Sequence, residues 1–476
     1  MRVLLVNTNR YTYPDPVPPL GLATLAASLH GDGHEYRVLD LTFAEDIEAA
    51  IVDALSEGWA EVAGLSIRNI DNSAYPITYT PLADLDRIIA SFRDTAPELP
   101  LVFGGAGFSL IPLPFMARYD VDYGVVGEGE LVFPAFLNSL GAGHDPRTLP
   151  GIVWRDRSSG KVFEGEPAGR LDPNLIPAAR WQGFAVERYY REGGMMNLQT
   201  KRGCRFKCTF CTYPILEGST ERTRSPQDVA NEIEHWLTEG VRDFFFVDSV
   251  FNFPEKQAIG ILNEIKTRRL DIGWTAYINP RQVSEEFAAL AAETGCKEVE
   301  MGCDSASDPV LRGFRKGFFQ KHIRRSITNL KAAGVRTAVS LIFAGPEETR
   351  ETARETFAVM DELDPAAVIA MVGVRIYPGG LLHKRAIDEG LLEEHEELLQ
   401  PTFYFSPKLD RDAADLIFEE CRRRSHWITP GDKDTFQQTM LERLRMQKGL
   451  KGPLWRFLHF GSSDSDRVTP DLNTMS

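Results

Sequence analysis

Cys204, Cys208 and Cys211 lie in the run KRGCRFKCTFCTYP with the spacing C-x3-C-x2-C. They are half of the chain's six cysteines. Thiolates at such short spacings hold iron–sulfur clusters. A structural zinc site closes its tetrahedron with a fourth ligand, and no further Cys or His stands beside this run. Three cysteines on a four-iron cubane leave one iron for a ligand from outside the protein, so the site is one for chemistry. The competing reading is three unconnected buried thiols, because free cysteine is a common core residue.

This spacing, with Phe210 just before the third cysteine, resembles the radical S-adenosylmethionine (SAM) superfamily. The resemblance implies a 4Fe-4S cluster whose free iron chelates SAM, whose cleavage gives a 5′-deoxyadenosyl radical. It places Phe210 against the adenine. Further segments resemble the same family in order. Asp248-Ser249 stands where a polar residue meets the SAM amino group. MGCDSA (301–306) resembles G-x-E-S-G and precedes Val310, Leu311, Lys316 and Gly317 in the VL-x4-KG pattern. Here Asp304 replaces the usual Glu and Ala306 the usual Gly, with Ser305 between them. IFAGPEET (342–349), containing Gly345 and Pro346, resembles the segment that meets adenosine, and RIYPGG (375–380) the ending Y-P-G-T-P.

These segments need strand ends to hold them. From residue 196 onward, apolar strands at 196–200, 243–247, 272–277, 298–302, 336–343 and 368–376 alternate with helices. Six such units make a partial TIM-like (β/α)6 barrel, and barrel sites form at strand carboxyl ends. Ser225 as N-cap, Pro226 at the first helical position and Gly240 after the last turn delimit the first helix. Tyr277, beside Trp274, and Tyr377 end their strands as candidate substrate contacts.

Residues 1–140 show a second α/β alternation, with strands at 3–6, 36–39, 62–67, 101–103 and 121–126. Continuous apolar strands joined by helices mean a parallel sheet covered on both faces. Ligands of such doubly wound, Rossmann-like folds bind beyond the strand carboxyl ends. The loops there are rich in glycine, which lets a backbone approach a large ligand. PPLGLATLAASLHGDGHEYRVLD, EVAGLSIRNIDN, VFGGAGFS and DYGVVGEGE resemble, in that order, the cobalamin-binding domain found before many radical SAM domains. The resemblance implies that Leu20, Gly21, Ser66, Arg68, Asn69, Gly104, Gly105, Gly127, Glu128, Gly129 and Glu130 embrace cobalamin. The family's histidine motif D-x-H-x-x-G is not completed, since Arg37 takes the glycine position after Asp32-Gly33-His34. Base-off cobalamin without a histidine ligand follows, with Arg68 a candidate beside its lower face or else a member of a surface ion pair.

Between the two units, residues 141–195 read as a connector with a β-hairpin. Residues 391–460 read as a small, mainly helical region, and 461–476 as a polar, disordered tail. With 53 basic and 68 acidic residues the net charge is −15. That argues against a general nucleic-acid partner, which should show a basic footprint. No apolar run approaches the length that spans a bilayer, no signal-peptide pattern opens the chain, and a cluster needs a reducing compartment. A cytoplasmic enzyme with no membrane or nucleic-acid partner is expected.

The combined resemblance implies a cobalamin-dependent radical SAM enzyme. Its implied reaction is transfer of a methyl group from methylcobalamin to an unactivated carbon of a small molecule, with an external flavodoxin- or ferredoxin-like electron donor. Two other readings remain open. One is the same cofactors used for rearrangement, oxidation or cyclisation; the other is a cobalamin-binding carrier or sensor. No His- or Ser-centred catalytic constellation is present, so the catalytic side chains are left unassigned.

Overall fold

A computed structural model describes residues 1–410, 412–429 and 443–458. In the first sheet, β1 (Arg2–Asn7), β2 (Glu35–Asp40), β3 (Val62–Ser66), β4 (Leu101–Gly104) and β5 (Tyr123–Val125) run parallel in the order β2-β1-β3-β4-β5. The continuous apolar character of β1 has a simple cause. Val3 and Leu5 face one helical layer with Leu22, Ala26 and Phe136, while Leu4 and Val6 face the other with Ile51, Leu85 and Ile88. Strand order reverses at β1, so the loops after β1 and β3 diverge and leave a crevice above the sheet.

The hairpin expected in the connector is present as β6 (Ile152–Arg155) and β7 (Val162–Glu164). It is not a separate unit, because β6 pairs antiparallel with β5 and extends the first sheet.

The second sheet starts with β8 (Met196–Leu198). A short antiparallel ladder, β9 (Lys201–Arg202) with β10 (Arg222–Thr223), then brackets the cysteine run. β11 (Asp243–Phe246), β12 (Gly273–Ile278), β13 (Glu298–Asp304), β14 (Arg336–Phe343) and β15 (Ala367–Val372) follow in parallel beside β8, giving the six expected barrel strands. Ser225 caps the first helix, Pro226–Thr238, its hydroxyl accepting from the Asp228 amide at 3.0 Å.

Two features depart from the expectation. The sixth strand stops at Val372, because Gly373 takes a φ of +80°. The chain then forms β16 (Val374–Arg375), antiparallel to β17 (Phe403–Tyr404). The carboxyl-terminal region also adds an unexpected element. Among its described residues it holds the helix Ala413–Arg422 and helical residues 443–448, and β18 (Trp427–Ile428) adds a seventh parallel strand beside β15. Trp455 packs on Ala338 and Ala367 near the starts of β14 and β15, closing that end of the barrel. The expected tail at 461–476 lies outside the described residues. Among the described residues no helix is long and apolar enough to cross a membrane.

Candidate functional site

The cysteine loop is fixed by its backbone. Gly203 has a φ of +89°, and a Cβ there would stand 2.1 Å from the Thr220 carbonyl oxygen, so only glycine turns β9 into the loop. The Gly203 amide donates to Glu217 at 2.9 Å and the Cys204 amide to the Gly218 carbonyl at 3.0 Å. Between the cysteines, Thr209 donates to the Phe314 carbonyl and accepts from the Leu382 amide, tying the loop to the barrel rim. Cys204 is buried, Cys208 and Cys211 partly so, and all three are free thiols. Burial pushes the Cys208 and Cys211 thiols up, the latter to about 12, while the nearby Lys316 ammonium opposes this. Cys208 also feels Cys204, and Cys211 feels both, so the three sulfurs share one low-dielectric site. Among the described residues no three His, Cys, Asp or Glu side chains converge on a single metal ion. Three thiols in one loop fit a cluster in which each binds a different iron.

The residues expected around SAM gather behind this loop. Phe210 packs edge-on against Phe314 at 5.5 Å, and Lys316 stands 5.7 Å above its ring. Lys316 pairs with Asp304 at 2.5 Å, both nearly buried. Asp304 holds a φ of +64° at the point where the β13–β14 register shifts. Ser305 shares a hydrogen bond with Thr356 at 3.0 Å. Gly345 is required by Phe314, whose ring would meet a Cβ at 2.1 Å, and Pro346 crowds Gly313 in the same way. Asp248 is committed elsewhere: its carboxylate accepts from the Thr200 amide at 2.7 Å, the Thr200 hydroxyl at 2.5 Å and the Lys201 amide at 3.2 Å. It fixes the entry to the cysteine loop.

Between the two sheets lies one cavity of about 1980 Å³. That is about twice the upper end of ordinary small-molecule pockets, room for more than one ligand. All the residues expected at the cobalamin site line it, as do Tyr277 and Tyr377. So do Thr212, Tyr213 and Leu216, which follow Cys211 directly, and inward residues of the barrel strands. The cradle on the first-domain side depends on missing side chains. A Cβ on Gly105 would lie 2.6 Å from the Ile67 carbonyl oxygen, and one on Gly107 would lie 2.9 Å from the Asn69 carbonyl carbon. These close approaches leave an open floor above the strand ends, which fits a large, flat ligand such as a corrin.

Arg68 reaches into this cavity from the end of β3. It is in no ion pair among the described residues, and burial lowers its pKa while the phenols of Tyr277 and Tyr213 oppose that. His34 sits elsewhere, before β2, with its Nδ1 3.1 Å from the Met1 amino group. Glu128 and Glu130 line the cavity but also bind the second domain. Arg202 in β9 pairs with Glu130 at 2.6 Å, and Arg222 in β10 pairs with Glu128. The ladder that brackets the cysteines is thereby tied to the glycine-rich loop after β5. Tyr377 shares a hydrogen bond with Ser73 at 2.7 Å, and Tyr277 is 41% exposed, toward the cavity. Sequence reasoning did not single out Glu300, a cavity-lining residue of β13. Its signal was the alternation of Glu298 and Glu300 within the otherwise apolar EVEMG.

The Radical SAM superfamily model matches residues 198–360 and the B12 binding domain model matches residues 7–137. The chain therefore carries a B12-binding domain followed by a radical SAM domain. A tryptophan 2-C-methyltransferase from Streptomyces laurentii is 29% identical over 440 residues, covering 79% of this chain and 73% of the relative. The fold is that of the radical SAM methyltransferase TsrM from Kitasatospora setae, solved with tryptophan substrate and a SAM analogue bound. There the TM-score is 0.85 at 24% identity, covering 96% of this chain and 97% of that one. OxsB, solved with aqua-cobalamin and SAM, gives a TM-score of 0.72 at 17% identity over 96% of this chain and 72% of that one.

Proposed function

We propose that the protein is a C-methyltransferase that acts on a carbon of a small molecule held between its two domains. The observation that carries this reading is the single cavity shared by the glycine-rich loops of the first domain and the residues that follow Cys211. When bound, the cluster, SAM and cobalamin supply SAM cleavage and a transferable methyl group, and an external flavodoxin- or ferredoxin-like protein supplies the electron.

The chain's own residues do the positioning. Cys204, Cys208 and Cys211 would hold the cluster, and the Lys316–Asp304 pair with Phe210, Ser305, Gly345 and Pro346 would hold SAM beside it. Asp248 fixes the entry to the cysteine loop through Thr200 and Lys201. The loops after β1, β3, β4 and β5 would hold cobalamin across the crevice, and Arg68 reaches into the same cavity. His34, held at Met1, does not line this cavity and would not serve as a ligand there. Tyr11 and Tyr79, stacked at 4.7 Å, line the same cavity as Tyr277 and Tyr377, which would meet the substrate. The kinship with a tryptophan 2-C-methyltransferase makes aromatic amino acids and their derivatives the first substrates to try.

The test is an anaerobic incubation of the reconstituted protein with candidate substrates and methyl-deuterated SAM, read by mass spectrometry. A product that gains a methyl group carrying the label supports the reading. Substrate consumed without label in the product would turn the assignment to rearrangement, oxidation or cyclisation.

A further inference from the structure

Strand β13 puts two carboxylates inside the second domain, and they are treated differently. Glu298 meets Arg336 at 2.8 Å and Arg456 at 3.4 Å. Glu300 is only 9% exposed, yet it joins no ion pair among the described residues. Its Oε1 accepts the indole N–H of Trp455 at 3.0 Å. Its register partner on β12 is Tyr277, whose phenol lies close enough for the carboxyl to feel it. Both neighbours are neutral, whereas an ionised carboxylate has about four acceptor sites and a charge to answer.

The surroundings do not answer it. Burial, with the charges of Asp15 and Glu298, pushes the Glu300 carboxyl up to about 7, against the opposing effect of Trp455 and Tyr277. The cations near those acids are already engaged: Arg445 with Asp15, and Arg336 and Arg456 with Glu298. Glu300 lines the cavity, as do Phe245, Val247, Ile369 and Met371, and Arg68, which feels the Tyr277 phenol, reaches the same cavity but makes no ion pair with Glu300 among the described residues. A carboxylate buried among apolar walls without a cation is costly unless a cation arrives with the ligand.

We propose that Glu300 anchors a protonated amine of the substrate, with the apolar remainder of that molecule lying along the barrel wall beside Tyr277. The word substrate rests on the methyltransferase reading; the binding of an amine does not need turnover.

The test is anaerobic calorimetry on protein carrying both cluster and cobalamin. The probes are tryptamine, phenethylamine and 4-phenylbutylamine, each against the alcohol that replaces its amine: tryptophol, 2-phenylethanol and 4-phenylbutanol. At least one amine should bind more than tenfold tighter than its alcohol at pH 8. Its affinity should rise about tenfold from pH 6 to pH 8, as Glu300 loses its proton, and the alcohol's should not. E300Q should abolish both the preference and the rise while leaving the alcohol's affinity and the cobalamin spectrum unchanged. E300D should keep the pH dependence. Equal binding of amine and alcohol, a flat pH series, an unaffected E300Q, or no binding by any amine would overturn the proposal. If E300Q fails to hold cobalamin, the wild-type pH series decides alone. Methyl transfer from labelled SAM is scored separately. Amine preference without methylation keeps this inference and removes the methyltransferase reading, and methylation of a molecule without an amine does the reverse.

Discussion

Asp71 accepts a hydrogen bond from Arg375 Nε at 2.6 Å, and neither side chain meets solvent. Asp71 belongs to the loop after β3, on the cobalamin side, and Arg375 to β16, where the barrel chain leaves its sheet. Arg375 also donates to the Leu398 carbonyl at 2.7 Å, and Tyr377, two residues on, meets Ser73. With Arg202–Glu130 and Arg222–Glu128 these contacts fix the mouth of one domain against the mouth of the other. The geometry between the two cofactor sites is thus written in buried ion pairs, which resist rotation better than an apolar seam would.

Removing one partner of a buried pair should be worse than removing both. D71N leaves the Arg375 guanidinium without its charge partner, at a cost of about 3–5 kcal/mol. The double variant D71N/R375M should recover part of that loss, because no uncompensated charge remains. Thermal midpoints of the two singles and the double measure this. Additive losses would mean that the pair is not energetically coupled.

Replacing Cys204, Cys208 and Cys211 together by alanine should remove iron and sulfide and the brown colour, and with them SAM cleavage. Cobalamin binding should survive, since its cradle is built from the loops of the first sheet. Full iron and sulfide content in the triple variant would contradict the assignment of the cluster.

Much of this arrangement was legible in the sequence, for reasons that particular residues show. β1 and β3 are continuous apolar runs because alternate residues serve two cores, and that pattern survives in a linear reading. The cysteine spacing was legible because all three ligands sit in one loop. What could not be read was set by distant partners or by single residues. Trp427–Ile428 is too short to announce a strand, and exists only because β15 offers an open edge. Gly373 breaks an apolar run that otherwise reads as one strand through Ile376. Glu128 and Glu130 read as loop residues beside a ligand, and their partners Arg222 and Arg202 lie in another domain with no local signal. Glu300 was hidden because an acidic residue on a half-polar strand reads as surface until the barrel closes around it.

The glycine-rich cradle gives a sharper test of the cobalamin site. Gly105 has a φ of +94°, and an added Cβ would stand 2.6 Å from the Ile67 carbonyl oxygen and 3.0 Å from the Ser66 hydroxyl. G105A should therefore displace the loop that carries Ser66 and Arg68 and weaken cobalamin binding at least tenfold, with iron content unchanged. Gly143, with a φ of +72° and nothing within 4 Å, is the control. G143A should cost about 1 kcal/mol of stability and leave cobalamin affinity alone. Cobalamin bound equally well by G105A would show that the floor is not where the corrin rests.

Glu348 offers a pH signature that is independent of any cofactor. It is fully buried in the segment after β14, with Oε2 accepting from the Gly345 amide at 3.2 Å and Oε1 without a partner among the described residues. Burial pushes its carboxyl from the ordinary 4.5 up to about 8, outweighing the Gly345 and Ala344 amides. Between those values the folded chain keeps a proton that the unfolded chain has lost. Its contribution is fully present below about 4.5, falls as pH rises, and levels off above about 8. A glutamine cannot ionise, so E348Q should melt above the wild type at pH 8 and no higher than it at pH 5. The wild type's residual slope near neutrality would persist in E348Q, because Glu300 titrates there too. Thermal midpoints of both proteins from pH 5 to pH 8 decide the matter, and a constant difference across that range would mean that Glu348 is ionised throughout.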